Sequence, residues 1–343
     1  MATTVQGLSE KQLALRRTGI GASEVAAVVG LHPTKKPIDV WAEKTGRTEP
    51  FEGNEFTEWG HRIERVVAEA WQERHPEVSI FTPGTLRHRD ERFSMALASP
   101  DRVVVPQGRR AREVWQELLE IKNVSTFRSD QFGEEGTDDV PEHMLVQVQY
   151  QLEVVDLEKA TLVPLIGGND FRQYPIERDR EFGAMLVDAV ARFWHDHVEA
   201  DVPPPVDGSA SYSTYLRRRF PAETGPLLDP SPEAEALVKR LRGARAALRA
   251  AEADEAEAGN VLRAFLGEAA GVAGLCTWKA NKPSEKLDFE AALEGFLVRL
   301  EENPLSGGFS IPRAKTRALW DEVRRDFTVT RPGARVLRLS KGE

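Results

Sequence analysis

The sequence is poor in cysteine and has no long hydrophobic run. Its single cysteine, Cys276, excludes a disulfide framework and a cysteine-based zinc site, and is typical of proteins from a reducing cytosol. No run of about 18 apolar residues occurs, so we expect no helix to span a membrane. The first 17 residues also lack the apolar core of a signal peptide. These absences predict a cytoplasmic protein without a membrane partner.

Charge is unevenly distributed along the chain. There are 46 basic and 55 acidic residues, a net charge of −9. Residues 1–206 contain 24 basic against 35 acidic residues, whereas residues 207–343 contain 22 against 20, and the segment from Arg313 contains nine against four. An acidic body with a basic end suits a metal-binding enzyme with a separate contact for a polyanion. It equally suits a protein whose charges have no such role, so net charge alone does not decide.

Hydrophobic periodicity and turn residues predict an α/β domain on a mixed sheet. Short helices are expected near Ser23, as the N-cap of the first, and from Pro37, and a longer amphipathic helix over 55–74. Three strand segments follow, over 81–88, 93–105 and 112–123. A helix that opens at Pro141, a hairpin and a helix over 178–200 complete the unit.

A proline-rich linker, residues 201–211, divides the chain by composition. We expect one domain over 1–206 and a C-terminal extension over 207–343. The extension begins with a long alanine-rich helix, about 231–268, whose apolar residues recur at the three-four spacing of a helical arm or short coiled coil. A small α/β region with a basic tail completes it.

The segment WQELLEIK, residues 115–122, places charged residues at alternate positions of a predicted buried strand. Alternate side chains share a face of a strand, so Glu120 and Lys122 point one way while Leu119 and Ile121 point the other. The simplest interpretation is a surface hairpin with an ion pair that contributes under about 1 kcal/mol. The alternative is that the carboxylate and the ammonium belong to an active site.

Asp101, which follows Ser99–Pro100 on the preceding strand, bears on this choice. If the two strands pair through the turn at 106–112, Asp101 approaches Glu120, and two close carboxylates repel unless a cation or proton lies between them. Mg²⁺ prefers oxygen ligands and commonly takes one or two carboxylates plus water. Asp101, Glu120 and the carbonyl of Ile121 could supply such a site, with Lys122 near the attacking water.

Three further features could join this site. Glu64 lies on the longer predicted helix, although a single helical glutamate is usually solvated. Gln147 and Gln151 share one face of a later helix, where amides could hold water or phosphate, or form an ordinary polar stripe. The segment RRTGIGASEV could bind an anion at a helix N-terminus with help from Arg16 or Arg17, or be an ordinary capped helix.

Taken together, these segments resemble the λ exonuclease / YqaJ / RecE-like branch of the PD-(D/E)xK nucleases of phages and prophages. Their order along the chain is R-x-x-G-I-G-A-S-E-V-A, G-H-R-I-E, S-P-D, E-I-K and P-x-x-x-x-x-Q-x-Q-x-Q-L. The resemblance covers about residues 15–200 and depends on five weak motifs in matching order. It implies a restriction-endonuclease-like mixed β-sheet core flanked by helices. It also implies Mg²⁺-dependent degradation of linear double-stranded DNA from a 5′ end, leaving 3′ single-stranded tails for homologous recombination by strand annealing.

The resemblance further implies a role for each matching position. Lys122 would act on the nucleophilic water, and Gln147 would support the site. The implied ligands of two Mg²⁺ ions, which Mn²⁺ could replace, are the carboxylates of Glu64, Asp101 and Glu120 and the carbonyl of Ile121. The positions that hold the 5′-terminal phosphate are Arg16, Arg17, Ser23 and Ser99. Which of the two adjacent arginines meets the phosphate stays open, and Arg102 stands where many members have a small residue.

Partners and alternatives follow from the same resemblance. Members form ring-shaped oligomers that thread DNA and work beside a single-strand-annealing protein, so we expect a homo-oligomer that acts on DNA ends with such a partner. Two other interpretations stay open: an endonuclease or repair nuclease on the same core, and a non-catalytic module that binds DNA ends or a partner. A histidine-dependent metalloenzyme is disfavoured because His195 and His197, two residues apart, point to different sides of a helix.

Overall fold

Alternating helices and strands run through the parts of the chain that this computed structural model describes, residues 14–48, 55–302, 313–331 and 335–339. The chain separates into two units, Met1–Thr224 and Gly225–Glu343. Parts of the expected basic tail, residues 332–334 and 340–343, lie outside the described residues.

The described parts of the first unit contain six α-helices and nine strands. The helices are α1 (Ala22–Val28), α2 (Pro37–Lys44), α3 (Glu55–Arg74), α4 (Glu142–Val155), α5 (Arg180–Phe193) and α6 (Ala210–Arg219). The strands are β1 (Ile20–Gly21), β2 (Val78–Phe81), β3 (Leu86–Arg87), β4 (Ala96–Ala98), β5 (Arg102–Pro106), β6 (Glu117–Val124), β7 (Lys159–Ile166), β8 (Asp170–Phe171) and β9 (Tyr174–Glu177).

The central sheet of this unit has six strands in the order β2-β5-β6-β7-β8, with β9 also paired to β7. The neighbours β2, β5 and β6 are antiparallel, as the short turn after β5 requires. In contrast, β6 and β7 run parallel, because the chain crosses over between them through α4. Strands β8 and β9 return antiparallel to β7. The expected mixed sheet flanked by helices is confirmed.

Helices cover both faces of the central sheet. Leu119 and Ile121 of β6 pack with Trp71 of α3 on one face. Leu118 packs on the other face, in the larger core that contains side chains of α1, α4 and α5. The predicted division of WQELLEIK into two faces is confirmed, and alternation places Glu120 on the side of the larger core.

A second sheet of three strands holds the N-terminal segment. Strand β1 runs parallel to β4, pairing Ile20 with Ala96, and β3 pairs antiparallel with β4. The strand segment expected over 93–105 is therefore two strands in two sheets, because Pro100 cannot donate a ladder hydrogen bond. Since parallel strands end at the same edge of a sheet, the residues that follow β1 and β4 are neighbours.

The first helix differs from the prediction at its N-terminus. Ser23 is not the N-cap, because α1 begins at Ala22 after Gly21, and the Gly21 N–H donates to the Glu24 carboxylate at 2.8 Å. This carboxylate satisfies a free N–H and lies at the positive end of the helix. It also pairs with Lys44 of α2, with 2.7 Å between Nζ and Oε2. The helix N-terminus expected to bind an external anion already holds a carboxylate.

Helix α6 extends the first unit beyond the boundary expected at residue 206. Tyr212 is buried and its hydroxyl donates to the Pro204 carbonyl at 3.0 Å. Tyr215 contacts the ring of Trp41 edge to face. Because these rings anchor α6 to α2, the unit continues to Thr224. That the first unit is the nuclease domain and the second unit an extension of it stays a prediction.

The second unit begins with a long helix. Its helices are α7 (Pro232–Leu266), α8 (Phe289–Glu302) and α9 (Arg313–Asp326), and its strands are β10 (Gly271–Val272), β11 (Cys276–Ala280), β12 (Ser284–Leu287), β13 (Thr328–Arg331) and β14 (Arg335–Leu339). The expected long helix is confirmed, at 35 residues. Strands β10, β11 and β14 form one sheet and β12 and β13 another, so the described part of the basic tail belongs to folded elements. Within the described ranges, no helix has the length and apolar character needed to cross a membrane.

Gly19 is expected to be essential for the packing of β1 on β4. A Cβ added at Gly19 would lie 2.1 Å from the carbonyl oxygen of Met95, and this backbone atom cannot move aside as a flexible side chain can. We expect Gly19→Ala to lower the free energy of unfolding by about 2 kcal/mol or more, measured by chemical denaturation.

The matched control is Gly60→Ala in α3. Nothing lies within 4 Å of the Cβ added at this position. The same substitution should therefore be neutral or stabilise the protein by up to about 1 kcal/mol, because alanine is the better helix former. Equal effects of the two substitutions would contradict the close approach of β1 to β4.

Candidate active site

Asp101 lies where the ladder between β5 and β6 ends. Arg102 pairs with Leu119, and beyond this pair the N–H of Ile121 donates to Asp101 Oδ2 at 2.7 Å instead of to a backbone carbonyl. The N–H and C=O of one strand residue point to the same side of the strand. The carbonyl of Ile121 therefore also faces Asp101, as the expected metal site requires.

Glu120 is the most buried acidic side chain of the site, with 3% of its surface exposed. The side chains of Lys122 and Gln147 both donate to its Oε1. Gln151, one turn further along α4, donates to Oε2 at 2.8 Å. The carboxylate thus has three donors, one from its own strand and two from the crossover helix. Both oxygens are satisfied, which a buried carboxylate requires.

Glu64 reaches the same region from α3. Its Oε1 accepts a hydrogen bond at 2.6 Å from Nη1 of Arg102, which also donates to the carbonyl of Asp101 at 2.5 Å. The side chains of Arg102 and Glu64 are only 13% and 26% exposed. Arg102 therefore connects the third expected carboxylate to the Asp101 backbone.

The protonation equilibria show that these groups act on one another. Burial raises the pKa of Asp101 well above its ordinary value, and the carboxylates of Glu120 and Glu64 raise it further, against the opposing charge of Lys122. Burial by itself would lower the pKa of Lys122, but the charges of Glu120 and Asp101 outweigh it, so this pKa is raised. The side chain of Lys122 is therefore a stable ammonium at neutral pH.

The donor set fits a hard divalent cation. Its groups are carboxylates and a carbonyl, the ligands that Mg²⁺ and Mn²⁺ prefer. The raised pKa of Asp101 marks a repulsion that a cation between the acids would relieve. Among the described residues no cluster of three His, Cys, Asp or Glu side chains stands ready as a ligand shell. The carboxylates are instead held by Lys122 and Arg102, two cations of the chain itself.

Two of the four expected phosphate ligands follow a pair of parallel strands. Gly21 pairs with Leu97 in parallel register, so Ser23 and Ser99, two residues further along each chain, follow at the same edge of the small sheet. Both serines are exposed, and Ser99 Oγ is 2.8 Å from the hydroxyl of Thr85. Ser99 is also two residues before Asp101, which connects this edge to the acidic site.

The two arginines lie on the N-terminal side of β1. Arg16 and Arg17 precede β1 and are exposed, at the opposite end of this short strand from Ser23. The carbonyl of Arg16 accepts a hydrogen bond at 2.8 Å from Lys44, the lysine that pairs with Glu24. The two serines therefore follow β1 and β4, whereas the arginines precede β1, and Lys44 connects the Arg16 carbonyl to the Glu24 carboxylate at the start of α1.

Other polar residues singled out from the sequence have local partners. Gln149, between the two site glutamines, faces away and donates to the carbonyl of Glu177 at 2.7 Å. His195 contacts Glu199 and His197 contacts the carbonyl of Val202, so these histidines share no ligand position.

Sequence reasoning gave no role in the site to two residues that contact its carboxylates, Gln151 and Arg102. It did place Gln151 on one face of α4 with Gln147 from their i, i+4 spacing, but it assigned only Gln147 to the site. Arg102 carried no such signal, because its contact with Glu64 joins positions far apart in the chain.

Comparison with known proteins finds a family model that matches the part of the chain containing this site. Residues 11–158 match the family model of the YqaJ-like viral recombinase domain. The YqaJ protein of Bacillus subtilis is 35% identical over 212 residues, which are 61% of this chain and 62% of that protein. An uncharacterised protein of Acanthamoeba polyphaga mimivirus is 28% identical over 153 residues, 44% of this chain and 27% of that protein. The chain therefore spans less than two thirds of the length of either relative.

Among solved structures, the crystal structure of an alkaline exonuclease from Laribacter hongkongensis aligns with 62% of this chain and 97% of its own, at 18% identity and a TM-score of 0.43. The family match, by contrast, spans every candidate position from Arg16 to Gln151. The expected resemblance of the motifs to this family is confirmed over residues 11–158, which match the model of the YqaJ-like viral recombinase domain.

Proposed function

We propose that this protein is a divalent-metal-dependent deoxyribonuclease that degrades linear double-stranded DNA from 5′ ends and leaves 3′ single-stranded tails for recombination by strand annealing. The observation that carries the proposal is the convergence of Asp101, Glu120 and Lys122 at the point where β5 and β6 separate, with Glu64 approaching from α3. The match to a recombinase domain supports the recombination role.

The metal ligands in this proposal are Glu64, Asp101, Glu120 and the carbonyl of Ile121. Two Mg²⁺ ions, which Mn²⁺ could replace, would stabilise negative charge on the attacking and leaving oxygens of the phosphodiester. Glu64 and Glu120 would exchange their present partners, Arg102 and Lys122, for the metal. The released ammonium and guanidinium would then face the DNA phosphate.

The charge of Lys122 bears on its role. Without metal, the charges of Glu120 and Asp101 outweigh the effect of burial and raise the pKa of Lys122, which favours the ammonium form. An ammonium would stabilise negative charge on the phosphate and orient the water by hydrogen bonding. Gln147 and Gln151 hold Glu120 in one orientation, so that its carboxylate stays aimed at the site when Lys122 moves away.

The preference for DNA ends would come from the edge of the small sheet. Ser23 and Ser99 are exposed and follow β1 and β4 at this edge, so their hydroxyls could donate hydrogen bonds to a terminal phosphate. Arg16 and Arg17 are exposed near the start of β1 and would contact the backbone further along the DNA. These contacts reach phosphates and not bases, so binding should be independent of sequence and sensitive to salt.

Assembly and partners stay predictions of the family resemblance. They are a ring-forming homo-oligomer, a single-strand-annealing protein that receives the 3′ tails, and action in the cytoplasm of a bacterial host. The proposed function requires none of them for cleavage itself.

A digestion experiment tests the proposed function directly. A linear duplex with 5′ phosphates and a closed circular duplex are incubated with the protein in Mg²⁺, in Mn²⁺ and in EDTA. We expect time-dependent loss of the linear duplex only, in the presence of metal, with one strand remaining. Cutting of circles would move the protein to the endonuclease alternative, and no cutting with either metal would favour the non-catalytic alternative.

Lys122→Ala should separate catalysis from DNA binding. The variant loses the ammonium beside Glu120, and we expect the cleavage rate to fall by about a hundredfold or more while DNA affinity stays nearly unchanged. Lys159→Ala is the matched control, because Lys159 lies on the adjacent strand β7 and is 59% exposed. Wild-type cleavage by the Lys122 variant, in gel assays with a labelled linear duplex, would refute the active-site assignment.

Asp101→Asn should be more stable than the wild type at high pH. Because the folded-state pKa of Asp101 is raised, its proton stabilises the folded state at low pH, and this contribution is lost as pH rises through the raised pKa. Asparagine mimics the protonated acid and can still accept the Ile121 N–H. In EDTA we expect similar melting temperatures near about pH 4 and a higher one for the variant near about pH 8.

The same melting curves test metal binding without an activity assay. Mg²⁺ should raise the melting temperature of the wild type, because a ligand of the native state stabilises it, and should raise that of the variant less. A variant that is less stable at high pH, or that responds equally to Mg²⁺, would contradict the proposed acidic metal site.

A further inference from the structure

Helix α7 exposes an apolar stripe along its whole length. The helix is capped by Ser231, whose hydroxyl accepts the N–H of Ala234 at 3.2 Å, and ends at Gly267, a span of about 52 Å at 1.5 Å per residue. Leu237, Leu248 and Phe265 are 59%, 60% and 78% exposed. Side chains of this kind in a regular array indicate an interface.

The heptad spacing continues along the whole stripe. Nine positions recur at alternating steps of four and three residues, which are the a and d positions of a coiled coil. In chain order they are Leu237, Leu241, Ala244, Leu248, Ala251, Glu255, Ala258, Leu262 and Phe265. Eight of the nine are apolar, and the exception is Glu255.

Charge divides the same helix into two halves. Its first half contains five basic residues together with Glu233 and Glu235, and its second half contains four acidic residues together with Arg263, so the halves have net charges of +3 and −3. The five basic residues are Lys239, Arg240, Arg242, Arg245 and Arg249, and the four acidic ones are Glu252, Asp254, Glu255 and Glu257. A second helix of the same sequence complements this pattern only when it runs in the opposite direction.

We propose that α7 pairs with α7 of a second copy of this chain as an antiparallel coiled coil. The apolar layers then join each a position to a d position of the other copy. They are Leu237 with Leu262, Leu241 with Ala258, Ala244 with Glu255, and Leu248 with Ala251, each occurring twice about the two-fold axis. Glu255 meets a small alanine, which leaves its carboxylate room to reach water.

The residues flanking the stripe select this register. Arg245 and Glu252 are both e positions, and they lie beside one another across the interface, once on each side of the axis. Sliding one helix by a heptad in one direction would bring Glu252 against its own copy. Sliding in the other direction would bring Arg245 against its own copy. Both shifts replace attraction with like-charge repulsion.

The same residues disfavour a parallel pair. In a parallel coiled coil each a position faces itself, so the two Glu255 carboxylates would share one buried layer. The g position Arg240 would also face Arg245 of the other copy. Orientation and register are therefore decided by charge, while the leucines provide the affinity. The pairing does not depend on the proposed nuclease function.

Charge reversal tests the pairing in the full-length protein. The self-association of the wild type, Arg245→Glu, Glu252→Arg and the double variant is measured by sedimentation over a range of concentrations, with helix content checked by circular dichroism. We expect each single reversal to weaken association by about tenfold or more, and the double variant to restore it, because the ion pairs are then exchanged. Lys239→Glu, the same charge change at an outward f position, should associate like the wild type.

Three outcomes would overturn the proposal. A wild-type chain that is monomeric at all concentrations would show that the stripe has no second copy as its partner. Tighter association of Arg245→Glu would indicate the parallel pair, in which this change removes a repulsion. Failure of the double variant to recover association, with its helix content intact, would reject the antiparallel register.

Discussion

The buried carboxylate of Glu120 is the group on which the rest of the site depends. A charge this deep in the core is tolerated only when its oxygens are satisfied, and two of its three donors come from successive turns of α4. The contacts therefore fix how the crossover helix lies over the sheet. Because α4 also packs against α1 and α5 in the larger core, one carboxylate joins the stability of the unit to the geometry of the site.

The site also concentrates like charge where a fold selected for stability alone would avoid it. Burial raises the pKa of Asp101, the charges of Glu120 and Glu64 raise it further, and Lys122 offsets only part of the effect. Such local conflict is common at functional sites, where activity needs an arrangement that costs stability. Here the conflict is of the kind that a divalent cation removes.

Much of the first unit could be predicted from the sequence, because its signals are local. Helix α3 spans the predicted 55–74, and alternation along WQELLEIK assigned the two faces of β6. The prediction of Ser23 as the N-cap of α1 was wrong. The Glu24 carboxylate accepts the Gly21 N–H, so a serine is not needed at that position. The continuation of the unit through α6 was missed, because the contact of Tyr215 with Trp41 joins segments that share no pattern.

The sequence by itself determined the order of the motifs, the period of each helix and strand, and the heptads and charge halves of α7. These are properties of neighbouring residues, and backbone geometry converts them directly into faces. Only the tertiary structure decided that the strands before Ser23 and Ser99 pair in parallel, that Gln151 joins Gln147 on Glu120, and that Arg102 pairs with Glu64. Each of these contacts depends on strand register or on the angle at which a helix crosses the sheet, and packing of distant segments sets both.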